Sequence, residues 1–286
     1  MTILVTGSTG KLGSALITLL QSTTHPFLAA TRRTPPPASL SSVPTVHFDW
    51  RDETTWPNPF TTATITKIFL LSPTVPDPAP LVNKFITYAT THHSVARFVL
   101  MSSASAQKGG PMFGQMWSHL AATGVPYALV GPSWVDENFL DARYVAEIQD
   151  GKIYSGMGEG RAPWVAARDV AGVSLWALTV GEEELRGREN VVVATRERIT
   201  MGEIADTFTK VLGRVIEHVS LSKEENMEYL LKLGYPKEAA GVVVWIEDYT
   251  GQGAVETVPY EDIETLIGRP MVRFEDWVAG KKAAWL

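Results

Sequence analysis

The residues Gly7-Ser8-Thr9-Gly10-Lys11-Leu12-Gly13 are the first in the chain whose types and spacing could do chemistry. A diphosphate needs backbone N–H groups at the start of a helix, and side chains larger than hydrogen would hold the main chain away from it. Gly7 and Gly10 suit that approach, and Gly13 would let the helix lie close to its sheet. The alternative is a tight turn with no ligand. A place directly after a short apolar run favours the dinucleotide. The chain then reads Ala30-Thr31-Arg32-Arg33 where the adenine ribose of such a ligand would lie. An Asp or Glu there would accept from a ribose 2′-hydroxyl, whereas guanidinium groups match a 2′-phosphate. No acid is present, so Arg32 points to NADP(H), unless the two arginines are only a solvated pair. Asp49 and Trp50 could hydrogen-bond to and flank the adenine, or could form an ordinary surface pair.

These residues need a scaffold that puts strand ends side by side. Thr2 to Thr6 is a β-branched run ending in glycines, and Leu12, Ala15, Leu16 and Leu19 then share one helical face. Phe27 to Thr31, Thr45 to Trp50, Lys67 to Ser72, Arg97 to Ser102 and Tyr127 to Val130 read as further strands, with helix-length segments between most of them. Several are continuously apolar, as strands covered on both faces must be. The expected fold is α/β, a doubly wound parallel sheet of Rossmann type with right-handed crossovers. Residues 1–150 would form the dinucleotide-binding domain. Residues 151–286 would form a smaller α/β substrate lobe, with some return of chain to the main sheet. In that lobe the spacing predicts a helix near Val170 to Leu178, a strand near Val191 to Thr195 and a capped helix over Thr200 to Leu212. Gly156 to Gly160 is a glycine-rich segment without an assigned role. Pro-rich Thr34 to Ala38, Ser72 to Pro80 and Gly109-Gly110-Pro111 are loops by their turn chemistry.

Composition narrows the classes. The 286 residues carry 25 Lys and Arg against 31 Asp and Glu, a net charge of −6, which argues against a nucleic-acid partner. The absence of Cys excludes disulfides, thiolate metal sites and a Cys nucleophile. No apolar run approaches about 18 residues, so no membrane partner is expected. The opening residues lack the charge and cleavage pattern of a secretory leader, and a soluble cytoplasmic protein, monomer or homodimer, is the expectation. Histidines occur without ligand spacing, and no metal is expected. His92-His93 reads as a helix end instead.

What the chain lacks bears on the reaction. Reduction of a ketone in a short-chain dehydrogenase normally uses a Tyr-x-x-x-Lys pair, and none occurs here. Counting from Ser102 places Gln115 and His119 at those two positions, on one helix face. Gln115 can hydrogen-bond but is not an acid. Losing a general acid costs roughly 10² to 10⁴ in rate, which matters little when the hydride acceptor is an iminium ion and the product a neutral amine. Orientation and acidic groups near the cation would then supply the acceleration. Asp136 and Glu137 are candidates for that, the alternative being a polar loop. His119 is either a proton carrier or a packed helical residue.

The segments MTILVTGSTGKLG, Arg97 to Ser103, Gly124-Val125-Pro126-Tyr127, Pro132 to Phe139, Gly268-Arg269-Pro270 and Phe274 to Val278 resemble the NmrA-like family of atypical short-chain dehydrogenases, over nearly the whole chain. Within it the sequence looks most like the fungal ergot-alkaloid dehydrogenases, which reduce an iminium with NADPH. The resemblance implies that Gly7, Thr9, Gly10, Lys11 and Leu12 cradle the pyrophosphate and that Arg32 meets the 2′-phosphate. It implies that Ser72, Pro73, Ser102 and Ser103 line the nicotinamide half, and that Pro132, Trp134 and Asn138 lie beside it. Ser103 stands with Asp136, Glu137 and His119 as a catalytic candidate. Gln115, Trp117, Trp134, Trp164, Trp245 and Tyr249 could wall a flat indole substrate, although large aromatics more often fill cores. One departure stands out. Members of that family commonly carry Arg before this Pro, where this chain has Gly131, which would enlarge or reshape the site. The expected function is NADPH-dependent reduction of an imine or iminium in indole-alkaloid metabolism. The alternatives are a redox-neutral iminium cyclase of Pictet–Spengler or cycloaddition type, and a non-catalytic redox sensor.

Overall fold

β-branched runs form the strands and the apolar stripes between them form the covering helices. The computed structural model describes residues 2–259 and 261–286. In chain order the first elements are β1 (Thr2–Val5), α1 (Lys11–Gln21), β2 (Phe27–Thr31), β3 (Thr45–His47), α2 (Asn58–Thr62), β4 (Ile65–Leu70), α3 (Ala79–His92), β5 (Arg97–Met101), α4 (Phe113–Thr123) and β6 (Tyr127–Pro132). There follow β7 (Trp134–Val135), α5 (Ala142–Gln149), β8 (Lys152–Ser155), β9 (Trp164–Val165), α6 (Ala167–Thr179), α7 (Glu182–Leu185) and β10 (Asn190–Val193). The last are α8 (Met201–Leu212), β11 (Glu217–Ser220), α9 (Lys223–Lys232), α10 (Lys237–Gly251), α11 (Ile263–Ile267) and α12 (Phe274–Lys281).

The chain divides into two units. One comprises Met1–Gly131, Ala167–Val193 and Asp262–Arg269; the other comprises Pro132–Ala166, Ala194–Glu261 and Pro270–Leu286. The first holds a seven-stranded sheet in the order β10-β6-β5-β4-β1-β2-β3, and the pairings from β6 to β3 are parallel. This is the doubly wound, Rossmann-like fold expected, with the order reversing beside β1. The strand near Val191, grouped by sequence with the second lobe, is instead the edge strand of this sheet. Its Glu189 carbonyl accepts from Leu129 N at 2.6 Å.

Two strands are less apolar than their neighbours for a reason that only the fold supplies. Arg97 of β5, 3% exposed, donates to the carbonyls of Ala177 and Val180, and Lys67 of β4 donates to that of Leu178. Both cations therefore cover the C-terminal end of α6, where open carbonyls and the helix dipole favour positive charge. Burial, with Arg97 nearby, holds the Lys67 ammonium below its usual range. Arg269, which follows a C-cap glycine at φ +67°, pairs with fully buried Asp169 at 2.6 Å. On the other side of the sheet Phe85 of α3 packs against Phe48, Trp50 and Trp56 in T-shaped contacts at 5.1–5.4 Å.

The second unit is built on two short parallel pairs, β11 with β8 and β7 with β9. Its core centres on fully buried Phe139, whose ring lies 4.9 Å from Trp164, 5.0 Å from Tyr144 and 5.4 Å from Phe208. The capping box expected at Thr200 and Glu203 opens α8, and a second one, Ser222 with Glu225, opens α9. Among the described residues no helix is long and apolar enough to cross a membrane.

Candidate active site

In the first unit the turn after β1 is held from both sides. The buried Thr6 hydroxyl donates to the Phe69 carbonyl and accepts from Leu71 N at 2.8 Å, and the Ser8 hydroxyl donates to the Ala30 carbonyl at 2.6 Å. These bonds tie the glycine turn to β4 and β2. Gly7 adopts φ +62°, and a Cβ there would stand 2.4 Å from Leu71 Cδ2. Gly13 has another task than the one expected, since its Cβ would meet the Gly7 carbonyl oxygen at 2.2 Å. It lets the first turn of α1 close on the loop itself. Gly10 is the N-cap of α1, with no side-chain cap and no acid in the first turn. The helix thus begins without a capping side chain or an acid over its first N–H groups, the arrangement an anion needs.

Gly7, Ser8, Thr9, Gly10, Thr31, Arg32, Asp49, Trp50, Leu71, Ser72 and Pro73 line one cleft of about 310 Å³. The structure therefore brings together Gly7, Thr9, Gly10, Arg32, Asp49, Trp50, Ser72 and Pro73 from the sequence candidates, with Lys11 and Leu12 following in α1. Arg32 and Arg33 are exposed, and neither guanidinium has an acidic partner among the described residues. The Asp49 carboxylate accepts from Arg51 N at 2.9 Å. Trp50 is 7% exposed, and its indole is set edge-on against Phe48 and Phe85, so the ring belongs to the core while its rim reaches the cleft. At the end of β5 the buried Ser102 hydroxyl has no partner among the described residues. Ser103 Oγ shares a hydrogen bond with Ser105 Oγ at 3.1 Å. An open helix N-terminus, a cradle that a Cβ would fill, unpaired guanidinium groups and an orphan hydroxyl at a strand end all fit a phosphorylated dinucleotide.

Gly131 has a steric role. A Cβ there would lie 2.8 Å from the Ser103 carbonyl oxygen and 2.9 Å from its carbon. The backbone of Ser103 and Ala104 thus occupies the start of the space that a side chain would need. On α4 Gln115 is exposed, whereas the Nε2 of half-buried His119 is bonded to Thr87 Oγ1 of α3 at 2.9 Å. The packed-residue alternative describes that placement of His119. Trp117 donates to the Tyr127 hydroxyl and lies against the core of the sheet.

In the second unit Pro132 is buried and Asn138 half-buried. Trp134 stacks on buried Trp164 with centroids 5.2 Å apart and planes at 29°. Its indole N–H donates to Thr250 Oγ1 at 3.0 Å. Asp136 is fully buried, and Glu137 accepts from Trp277 Nε1 of α12 at 3.0 Å. Trp245 is 60% exposed on α10 and stacks on Tyr249 at 5.3 Å. Thr6, Ser8, Leu71 and Thr250 were not read from the sequence. A single Ser, Thr or Leu carries no signal until its partner, 22 to 116 positions away in these bonds, is known. The described residues contain no cluster of His, Cys, Asp and Glu able to hold a metal ion.

Residues 3–106 match the model of the NAD dependent epimerase/dehydratase family. Over its whole length the chain is similar to the agroclavine dehydrogenase of Claviceps fusiformis, 33% identical over 294 residues that cover 100% of this chain and 99% of the relative. It is 33% identical over 296 residues to the festuclavine dehydrogenase of Aspergillus fumigatus, with 100% and 99% covered. The NADPH-dependent quinone oxidoreductase of Escherichia coli, solved with NADPH, shares the fold at TM-score 0.80 and 22% identity, with 98% and 99% covered. Full-length identity above 30% to two dehydrogenases, on this fold, means that the chain belongs to the NmrA-like oxidoreductase family that includes the agroclavine and festuclavine dehydrogenases.

Proposed function

We propose that the protein is an NADPH-dependent reductase of a C=N bond in an indole-alkaloid-type metabolite, the first unit holding the dinucleotide and the second the substrate. The open N-terminus of α1 with Gly7, Thr9, Gly10, Lys11 and Leu12 binds the diphosphate. Arg32 takes the 2′-phosphate. Ser72, Pro73, Ser102 and Ser103 line the nicotinamide end, and the orphan Ser102 hydroxyl offers it a donor. A bound reduced nicotinamide would supply a hydride to an iminium carbon, leaving a neutral amine.

The observation that carries the C=N reading is the pair at the acid–base positions of α4: Gln115 is an amide, and His119 Nε2 is occupied by Thr87. Ketone reduction would leave an alkoxide with no tyrosine there to protonate it, whereas iminium reduction leaves no oxyanion. The residues then act by orientation and by stabilising a cation. Asp136, fully buried, and Glu137, which also accepts from Trp277, are the carboxylates assigned to that cation. The relatives named for agroclavine and festuclavine support an alkaloid substrate.

The test follows product and reduced nicotinamide together in the presence of a cyclic indole iminium. One NADPH should be consumed per amine formed. Turnover with unchanged nicotinamide absorbance would replace the reductase by a redox-neutral cyclase, and binding of NADPH without turnover of any iminium would favour a sensor.

A further inference from the structure

The second glycine-rich segment, Gly156-Met157-Gly158-Glu159-Gly160, is the seat of α10. Gly156 N donates to Glu247 Oε2 at 2.7 Å, and a Cβ on Gly156 would lie 2.9 Å from Asn226 Nδ2, which donates to the same oxygen. A Cβ on Gly160 would lie 2.5 Å from the Thr250 carbonyl oxygen and 2.6 Å from Gly251 Cα. Glycine against glycine brings the C-terminal turn of α10 down to backbone contact. Glu247, 1% exposed, fixes its rotation.

The turn so placed carries Thr250, which is fully buried. Its hydroxyl proton is committed to the Ile246 carbonyl at 2.8 Å, so the oxygen presents a lone pair, and that lone pair receives the Trp134 indole N–H at 3.0 Å. One face of Trp134 is covered by Trp164. With its only donor occupied and one face covered, this partly buried indole can stack on a ligand only through its other face.

We infer that Thr250 is a positioning residue that sets Trp134 so that the face away from Trp164 receives a planar cation. The inference rests on the reading of Trp134 as a substrate wall and makes that reading chemical. Recognition is by cation–π attraction, which suits a flat iminium and gains nothing from a neutral ring. Glu247 and the glycine seat hold Thr250 at the required depth.

The probes are N-methylquinolinium and neutral quinoline, titrated into the NADP⁺-saturated protein at pH 8 and followed by tryptophan fluorescence. Wild type should bind the cation about tenfold more tightly than the neutral ring. Thr250→Val should lose that preference and shift the indole N–H resonance assigned to Trp134 through Trp134→Phe; Thr250→Ser should restore both. Trp134→Phe binding both probes as wild type does would overturn the wall itself. Trp134→Phe losing the preference while Thr250→Val keeps it would overturn only the positioning role. A wild-type spectrum in which the Trp134 indole proton exchanges as fast as that of exposed Trp245 overturns the positioning role without any variant of Thr250.

Discussion

At the glycine turn of the first unit the groups that face an incoming anion are the N–H groups of a helix start, and their places are set by side chains that are missing. In the second unit a buried cluster does the opposite. Arg143 donates through Nε to Glu147 at 2.8 Å, stands 3.7 Å from Glu247 and donates to the Tyr154 carbonyl, while Tyr229 donates to Glu147 at 2.8 Å. The cleft leaves donors open at a helix end, which suits a ligand that arrives with charge. The cluster closes its charges on one another, which suits a scaffold that must not move. One arginine faces two glutamates there, and burial pushes the Glu247 carboxyl up from its usual range. The contrast teaches that a binding region is recognised by what it leaves unpaired, and a supporting region by how many distant segments it joins.

The largest effect that would break this contrast is expected at Gly13. In Gly13→Val the Cβ would lie 2.2 Å from the Gly7 oxygen, so the turn must open. Dinucleotide binding should be lost, and urea unfolding should report destabilisation of about 3 kcal/mol, the upper range for overpacking. Unchanged titration of NADPH would refute the role given to this turn.

The cluster should respond next. Glu247→Ala removes one carboxylate from a buried pair and two donors' acceptor, and should cost about 3 kcal/mol in urea unfolding. Its pH dependence sharpens the point. A carboxyl whose folded pKa is raised binds its proton more tightly in the folded state, so its ionisation costs stability. That cost is absent below the unfolded value of about 4.3 and grows as pH rises through the folded value. Wild type should therefore lose stability relative to Glu247→Gln as the pH is raised from about 4 towards neutrality. The opposite slope would mean that Arg143 and the Gly156 and Asn226 donors outweigh burial.

The smallest effect concerns Arg32, exposed at the end of β2. Arg32→Ala should weaken NADPH binding by about tenfold and leave NADH binding unchanged, because only the former carries a phosphate for a charge-assisted bond. Neighbouring Arg33 limits the loss. Equal changes for both nucleotides, measured by fluorescence titration, would remove the specificity assigned to this side chain.

Much of the fold was legible because its signals are local. Apolar runs, the glycine turn and the Thr200 capping box each lie within a few residues, and β1 to β6 and α8 form where those patterns fall. Val191 was assigned to the wrong unit because an apolar strand looks alike in either, and only its pairing beside β6 decides. The cleft was legible for the same reason as the turn: Gly7 and Gly10 are three residues apart in sequence, and Arg32 follows the next strand. Thr6 and Ser8 escaped notice because hydroxyls are common and theirs matter only through bonds to Phe69 and Ala30.

The amino-acid order by itself determined the alternation of strands and helices, the glycine turn and the absence of a Tyr-x-x-x-Lys pair. Backbone conformation and short-range periodicity are properties of neighbours. Tertiary structure alone decided that Lys67 and Arg97 cover the end of α6, that the Ser8 hydroxyl meets the Ala30 carbonyl, and that Thr250 receives the Trp134 indole. Those are contacts between segments far apart in the chain, and a residue type does not encode which distant atom will meet it.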